Sequence, residues 1–315
     1  RFLFCILQSK GRFFMQISEL IAEYILNCEI QKFSHKTISG YKNNLAYLER
    51  FLSEKHHITE IEKVKSIHLK DFFKYVSDKG RKETYLNELL KVFRTFFKYA
   101  VSEEYISSNP CEKIPWAKET MPLIRTFNDS EVKRMLAVYG EKSYLEIRNK
   151  TILYMLFDTG IRNYELCCLP VEAISSNAIS IMGKGKKERQ AAQSPYLAKM
   201  LMKYMRYRSG YFEYKNISNR LFLSRTGQPL TVEAIERIVK IAGEKANVRS
   251  DIRCSPHTCR HYFAQSQLKN GIDVYSLSRL MGHGNIMITQ RYLNSMRDDE
   301  ITVRSIKTSP LMNLL

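Results

Sequence analysis

Six side chains of this sequence have the types and order to do chemistry together. Arg162 lies in Asp158-Thr159-Gly160-Ile161-Arg162-Asn163-Tyr164-Glu165-Leu166. Glu165 falls three residues on, on the same helical face, within reach of the guanidinium. Lys184 sits in the turn-like run Gly183-Lys184-Gly185-Lys186-Lys187. His257 and Arg260 share one face of a helix beginning at Pro256, His283 follows in Leu280-Met281-Gly282-His283, and Tyr292 comes later still. These are cations, N–H donors and one phenol lodged beside apolar helix turns. A guanidinium fork meets the oxygens of a phosphate or carboxylate two at a time, so the set points to an anionic substrate. There is no glycine loop of Walker type, no Gly-x-Ser-x-Gly elbow, and no acidic cluster of the kind that holds magnesium in metal nucleases. Singly, each residue has a plainer reading. An isolated helical arginine is usually a solvated face, a lone histidine a satisfied core residue, and a lysine-bearing turn a soluble surface hairpin. Tyr292 is one of 19 tyrosines, most of which pack. Their joint order and spacing carry the argument.

Residues so far apart in sequence need a frame to converge, and the apolar periodicity supplies one. From residue 16 to about 105 the pattern is helical throughout. Ser34 can cap a helix whose apolar face is Ile38, Tyr41, Leu45, Leu48 and Leu52. Residues 66–78 and 82–105 repeat the pattern, with Gly80 between them, so a small bundle of about four helices is predicted. Ser107-Ser108-Asn109-Pro110, with a second proline at 115, resists helix and reads as a linker. Beyond it, Asp129 or Ser130 caps a helix, and residues 145–157 form another that Asp158-Thr159-Gly160 ends. Ala178–Met182 alternates like a strand, and Glu188–Ala192 can return as its partner. The rest is helical over 195–209, 231–247, 256–270 (closed by Gly271) and 273–281. The expected fold class is mainly α with a small antiparallel β-hairpin. A helical bundle spans 15–108, a linker 109–123, a mixed α+β domain 124–300 and a tail 301–315. Residues 1–14 have no usable periodicity and read as an extension ahead of Met15, the expected start.

Composition bounds the partners. The 315 residues hold 50 Lys and Arg against 32 Asp and Glu, a net charge of +18. A surplus that large suits nucleic acid, an anionic membrane or acidic proteins. It is spread along the chain, 20 basic against 15 acidic residues up to 120 and 30 against 17 after it. That suits a clamp around a polyanion better than one basic tail. A hydrophobic content of 44% excludes a disordered chain. No apolar run approaches the roughly 20 residues that span a bilayer, and residues 2–7 are too short for a signal-peptide core. Seven cysteines, odd in number and scattered, make no disulfide framework. The chain reads as a soluble, reduced, intracellular protein.

Arg162, Lys184, the His257-x-x-Arg260 box, Gly282-His283 and Tyr292 resemble the active site of the tyrosine recombinase (lambda-integrase-like) family. All six positions carry the expected residue type, in order. The surroundings match too: Thr159-Gly160-Ile161-Arg162 with Glu165 and Leu166, the Gly183-Lys184-Gly185 turn, Ser255-Pro256-His257-Thr258-Cys259-Arg260-His261, and Leu280-Met281-Gly282-His283. The likeness covers about residues 124–300. The helical N-terminal part is similar, less specifically, to the family's core-DNA-binding domain, and the length suits the short Xer-like and transposon-type members. One departure stands out. Where the family usually has an apolar second strand this chain has Arg189-Gln190-Ala191-Ala192-Gln193. Lys186 and Lys187 also compete with Lys184 for its role.

The resemblance implies a site-specific recombinase of the integrase or transposon type, working without metal, cofactor or ATP. A phosphodiester carries one negative charge and gains another as it becomes five-coordinate, so fixed cations and N–H donors must meet it. Arg162 and Arg260 would hold its oxygens and His283 would add a hydrogen bond. Tyr292 would attack phosphorus, leaving a 3′-phosphotyrosyl bond and a free 5′-hydroxyl. A phenol of pKa about 10 costs about 4 kcal/mol to deprotonate at neutral pH. His257 is the candidate base and Lys184 the candidate general acid for the leaving oxygen. The covalent intermediate keeps the bond energy, so strands can rejoin to a new partner through a Holliday junction. The implied partners are double-stranded DNA with inverted-repeat sites and three further copies of the chain, a homotetramer on DNA. The tail, residues 295–315, would dock on a neighbouring copy. An accessory DNA-bending protein or directionality factor fits the same picture, a membrane does not, and the setting is the bacterial cytoplasm at the nucleoid. Two other functions compete, a type IB topoisomerase and a DNA-binding protein that has lost catalysis; the complete six-residue set speaks against the latter. Cys254, His257, Cys259 and His261 superficially suggest zinc. On a helix, however, Cys259 points nearly opposite the two histidines, and Arg260 would bring a cation to the metal. No metal is expected.

Overall fold

The computed structural model describes residues 14–119, 123–176, 178–183 and 188–293, together with 305, 306 and 311. The chain divides into two compact units at residues 121–122. Among the described residues no helix is long and apolar enough to cross a membrane. The expected class, mainly helical with one two-stranded antiparallel sheet, is the one observed.

Among the described residues the first unit holds four α-helices, α1 (Ile17–Ile30), α2 (His35–His56), α3 (Ser66–Asp78) and α4 (Glu83–Ser102). Ser34 caps α2, its hydroxyl oxygen accepting from the Thr37 N–H at 3.2 Å. Each helix buries one stripe: Leu20 and Tyr24, then Leu45, Leu48 and Leu52, then Leu69 and Phe72, then Leu89, Phe93 and Phe97. Phe72 packs edge-on to Phe51 at 5.1 Å and to Phe93 at 5.4 Å, an arrangement that aromatic quadrupoles favour. The stretch read as a linker is packed on this unit as far as residue 117. Cys111 and Ile114 are buried in its core, and Arg94 donates to the Ile114 carbonyl at 2.6 Å. Asn87 accepts from the Ala117 N–H at 2.8 Å and donates to its carbonyl at 3.0 Å. The helix α4 ends where Glu104 takes the left-handed conformation, φ +61°, and its side chains then supply hydrogen bonds that the irregular backbone beyond does not make with itself.

The second unit runs α5 (Asp129–Ala137), α6 (Tyr144–Thr159), α7 (Asn163–Cys168), β1 (Ala178–Met182), β2 (Glu188–Ala192), α8 (Pro195–Tyr211), α9 (Val232–Lys245), α10 (Pro256–Lys269), α11 (Val274–Met281) and the single turn α12 (Met287–Gln290). The central helix is α6. Its Ile147, Ile152, Leu153, Met155 and Leu156 are fully buried, and α8 and α10 pack along it. A helix apolar around most of its girth is one its neighbours enclose. The cap of α5 is Asn128, one residue before the expected Asp129 or Ser130. Asn128 Oδ1 accepts from the Glu131 N–H, and the Glu131 carboxylate accepts from the Asn128 N–H, both at 2.9 Å. That reciprocal pair satisfies two otherwise orphaned donors, which neither expected residue does here. In the hairpin, Ile179 lies opposite Ala191 and Ile181 opposite Arg189. Ile179, Ile181 and Ala191 are buried, so Arg189 stands on the inward face of β2 where an apolar residue would ordinarily pack.

Candidate active site

Three chain turns deliver the candidate side chains. The first ends α6 at Gly160, with φ +57°; a Cβ there would lie 2.4 Å from Cδ1 of Phe263, so the position needs both the left-handed conformation and the space. Arg162 follows at the start of α7, where the Glu165 carboxylate accepts from its backbone N–H at 3.0 Å and from Nη1 at 2.8 Å. The second turn starts α10, with the Ser255 hydroxyl accepting from the Thr258 N–H at 3.3 Å and Pro256 in the first position. Packing of α10 on α6 turns Arg260 inward. The third closes α11 at Gly282, with φ +63°. There the His283 N–H reaches the Ser278 carbonyl and the Gly282 N–H the Arg279 carbonyl, each at 3.0 Å, a Schellman closure.

The last carbonyls of a helix have no partner within it and carry the negative end of its dipole, so cations settle there. At the end of α11 three arginines from three elements take three consecutive carbonyls. Arg189 Nε donates to Leu280 at 3.0 Å, Arg260 Nη2 to Met281 at 2.6 Å, and Arg162 Nη2 to Gly282 at 2.8 Å. Arg260 also donates to the Gly160 carbonyl. Glu165 binds two of the three together. Besides Arg162 it accepts from Arg189 Nη1 at 2.9 Å and Nη2 at 2.7 Å. Burial alone would raise this carboxyl, which is 7% exposed, but Arg189 and then Arg162 hold it below the usual carboxylate range. Arg260 is 4% exposed; burial, then the facing Arg162 and Arg189, push its pKa down to about 9.

Next to this hub, Tyr292 is 4% exposed among Phe263, Leu268, Leu277 and Met281. Its hydroxyl lies 2.9 Å from Nδ1 of His261. Burial raises the phenol above its ordinary value, against the pull of Arg260, Arg291 and Arg162. His261 is pushed down to about 4 by burial, then by His257, Arg260 and Arg291. His283 is pushed down to about 4 by burial, then by Arg260, Arg162, Arg189 and His261. Its Nδ1 lies 2.7 Å from the Thr289 hydroxyl. His257 is exposed, one helical turn before His261, with the ring centroids 6.4 Å apart. Arg162, His257, Arg260, His283 and Tyr292 are thus in one neighbourhood, while Lys184, with Lys186 and Lys187, lies outside the described residues. Two members were not picked out by sequence. His261 stood out as a possible zinc ligand and as the last residue of the matching run 255–261, without a role of its own, although its four-residue spacing from His257 places both on one face. Arg189 stood out only as an anomaly in a strand. The arrangement offers two forks and a histidine N–H to a single anion, with a phenol at its edge.

Residues 125–298 match the family model described as the phage integrase family, and residues 21–104 the one described as the phage integrase N-terminal SAM-like domain. The tyrosine recombinase XerD of Staphylococcus aureus is 29% identical over 276 residues, covering 87% of this chain and 92% of that protein. The Tn1549 transposon integrase, solved in complex with a circular intermediate DNA, superposes with a TM-score of 0.75 at 18% identity over 94% of this chain and all of that one. The XerH site-specific recombinase, solved with palindromic difH substrate after cleavage, gives 0.74 at 18% identity over 93% of this chain and 85% of that one. These two solved structures share the fold.

Proposed function

The chain belongs to the phage integrase family of tyrosine site-specific recombinases, and from that premise we propose that Tyr292 cuts DNA in a site built on the closing carbonyls of α11. The observation that carries this reading is the convergence of the Arg162 and Arg260 forks beside His283 and the Tyr292 hydroxyl. A phosphate oxygen is a stronger acceptor than a peptide carbonyl, so an incoming scissile phosphate competes for the forks that Gly282 and Met281 hold in its absence. Those carbonyls keep the guanidiniums aimed, and little reorganisation is left for the moment of reaction. His283, neutral near pH 7, can donate from Nε2 when Nδ1 accepts from the Thr289 hydroxyl, and this is the tautomer a phosphate needs.

The phenol oxygen forms its bond to phosphorus as the bond from phosphorus to the 5′-oxygen breaks. The phenolic proton leaves to an imidazole. His261, in contact with the hydroxyl, is the better placed acceptor, and His257 on the exposed side of α10 is placed to meet the backbone of the DNA. The 5′-oxygen takes its proton from Lys184. Reversal with a different 5′-hydroxyl gives exchange without ATP, because the phosphotyrosyl bond keeps the energy of the one broken. On this reading residues 15–108 form the core-DNA-binding domain and 124–300 the catalytic domain. Four copies act on paired inverted repeats in the bacterial cytoplasm, coupled by their tails. A DNA-bending or directionality factor is the further partner this picture accommodates. The named relatives are recombinases and integrases, so a topoisomerase or a binding protein without catalysis is not favoured.

The test uses duplex fragments from the DNA flanking the gene, nicked near candidate inverted repeats so that cleavage becomes a trap, with EDTA throughout. An SDS-resistant complex with the wild type and none with Tyr292→Phe is expected. An adduct that persists in Tyr292→Phe, or no adduct despite tight binding, would overturn the assignment.

A further inference from the structure

Arg189 stands on the inward face of β2, opposite Ile181, with its side chain 9% exposed. A guanidinium so placed is costly unless its N–H groups find partners. Here the fork grips both oxygens of Glu165 at 2.9 and 2.7 Å, and Nε takes the Leu280 carbonyl at 3.0 Å. Each partner leads directly to another member of the site. The same carboxylate that Arg189 orients accepts from Nη1 of Arg162 at 2.8 Å. Leu280 opens the Leu280-Met281-Gly282-His283 turn, whose next two carbonyls hold Arg260 and Arg162. Arg189 also fills the space beneath that turn: a Cβ at Gly282 would lie 2.9 Å from its Cδ and 3.2 Å from its Nη1.

We propose that Arg189 is a positioning residue for DNA cleavage. Through Glu165 it fixes the rotamer of the Arg162 fork, and through the Leu280 carbonyl it fixes the turn that presents His283. It never touches DNA itself. A lysine cannot take its place, because one point charge cannot grip two carboxylate oxygens and a carbonyl from fixed directions. The inference rests on the recombinase reading above.

The experiment measures single-turnover adduct formation at saturating full-length protein, on a nicked duplex that the wild type cleaves. The duplex is made in two forms. One has an ordinary scissile phosphate; the other is a methylphosphonate, in which a methyl group replaces one non-bridging oxygen and makes the group neutral. A neutral centre asks less of the arginines. On the phosphate, Arg162→Ala and Arg189→Lys should both lose about 100-fold in rate, the scale set by losing or misplacing one stabilising donor. On the methylphosphonate both deficits should shrink by about tenfold, with DNA binding by Arg189→Lys unchanged. If the wild type forms no adduct, the recombinase reading fails and takes this one with it. If the wild type reacts and Arg189→Lys matches it, the inference alone is overturned. The same holds if Arg189→Lys is equally impaired on both duplexes while the Arg162→Ala deficit narrows, since Arg189 would then be merely structural. Urea unfolding checks that the variant is folded; should Arg189→Lys fail that check, Arg189→Gln is read on the same two duplexes.

Discussion

At Tyr292 two demands conflict. On the proposed reading its hydroxyl attacks phosphorus and must be reachable, yet it is buried and held at 2.9 Å by an imidazole. Burial has raised the phenol and lowered both neighbouring histidines, so all three prefer to be neutral in the folded chain. The sign of the acid response follows. His261 and His283 titrate at about 4 when folded, against about 6.5 in an unfolded chain. Their burial contributes stability that is fully present above about pH 6.5 and is lost as pH falls towards 4, because the unfolded chain binds the protons first. Urea midpoints should therefore drop between pH 6.5 and 4, and drop less in His283→Gln; an identical drop in that variant would refute the assignment. Most of the residues that converge at the candidate site were legible in sequence, because residue type and order sufficed to single them out. The contact of His261 was not, since it depends on a hydroxyl brought from 31 residues away.

Among the elements, the turns carry the site more than the helices do. Gly160 ends α6 in the left-handed region, presses on Phe263 and lends its carbonyl to Arg260. Gly160→Ala must strain the backbone and displace the ring, so a loss of about 2–4 kcal/mol is expected in urea unfolding, with weakened cleavage. Gly40, inside α2 with open space around it, is the control; Gly40→Ala should gain about 0.5–1 kcal/mol. Equal effects at the two sites would show that the turn has no special demand. Helices and strands were readable because their periodicities are local. The docking of residues 109–117 was not, since burial of Cys111 and Ile114 depends on the α4 surface they meet. The cap at Asn128 was missed by one residue, because only the reach of Glu131 back to it decides between neighbouring polar residues.

For the whole molecule, charge and the tail make the prediction. The chain carries +18, distributed over both halves, so DNA affinity should fall steeply with salt. If the tail couples neighbouring copies, removing residues 308–315 should leave the nicked-duplex adduct near the wild-type rate and reduce recombinant product between two sites by about 100-fold or more, the scale on which linkage between modules adds to avidity. Unchanged recombination would show that coupling lies elsewhere. Length, composition and motif order were enough to read two units and a polyanion partner, because those depend on sums along the chain rather than on its path in space.

The three arginines on the closing carbonyls of α11 stand around one carboxylate that two of them grip, three positive charges against one negative, a formal +2. On the proposed reading a resting phosphodiester brings −1 and the five-coordinate phosphorus −2, so the fixed positive charge of these forks attracts the transition state more strongly than the resting DNA. A neutral side chain in place of Glu165 would raise that charge yet release the Arg162 and Arg189 forks it aims, so the enclosure would attract resting DNA backbone more strongly and meet the five-coordinate phosphorus less squarely.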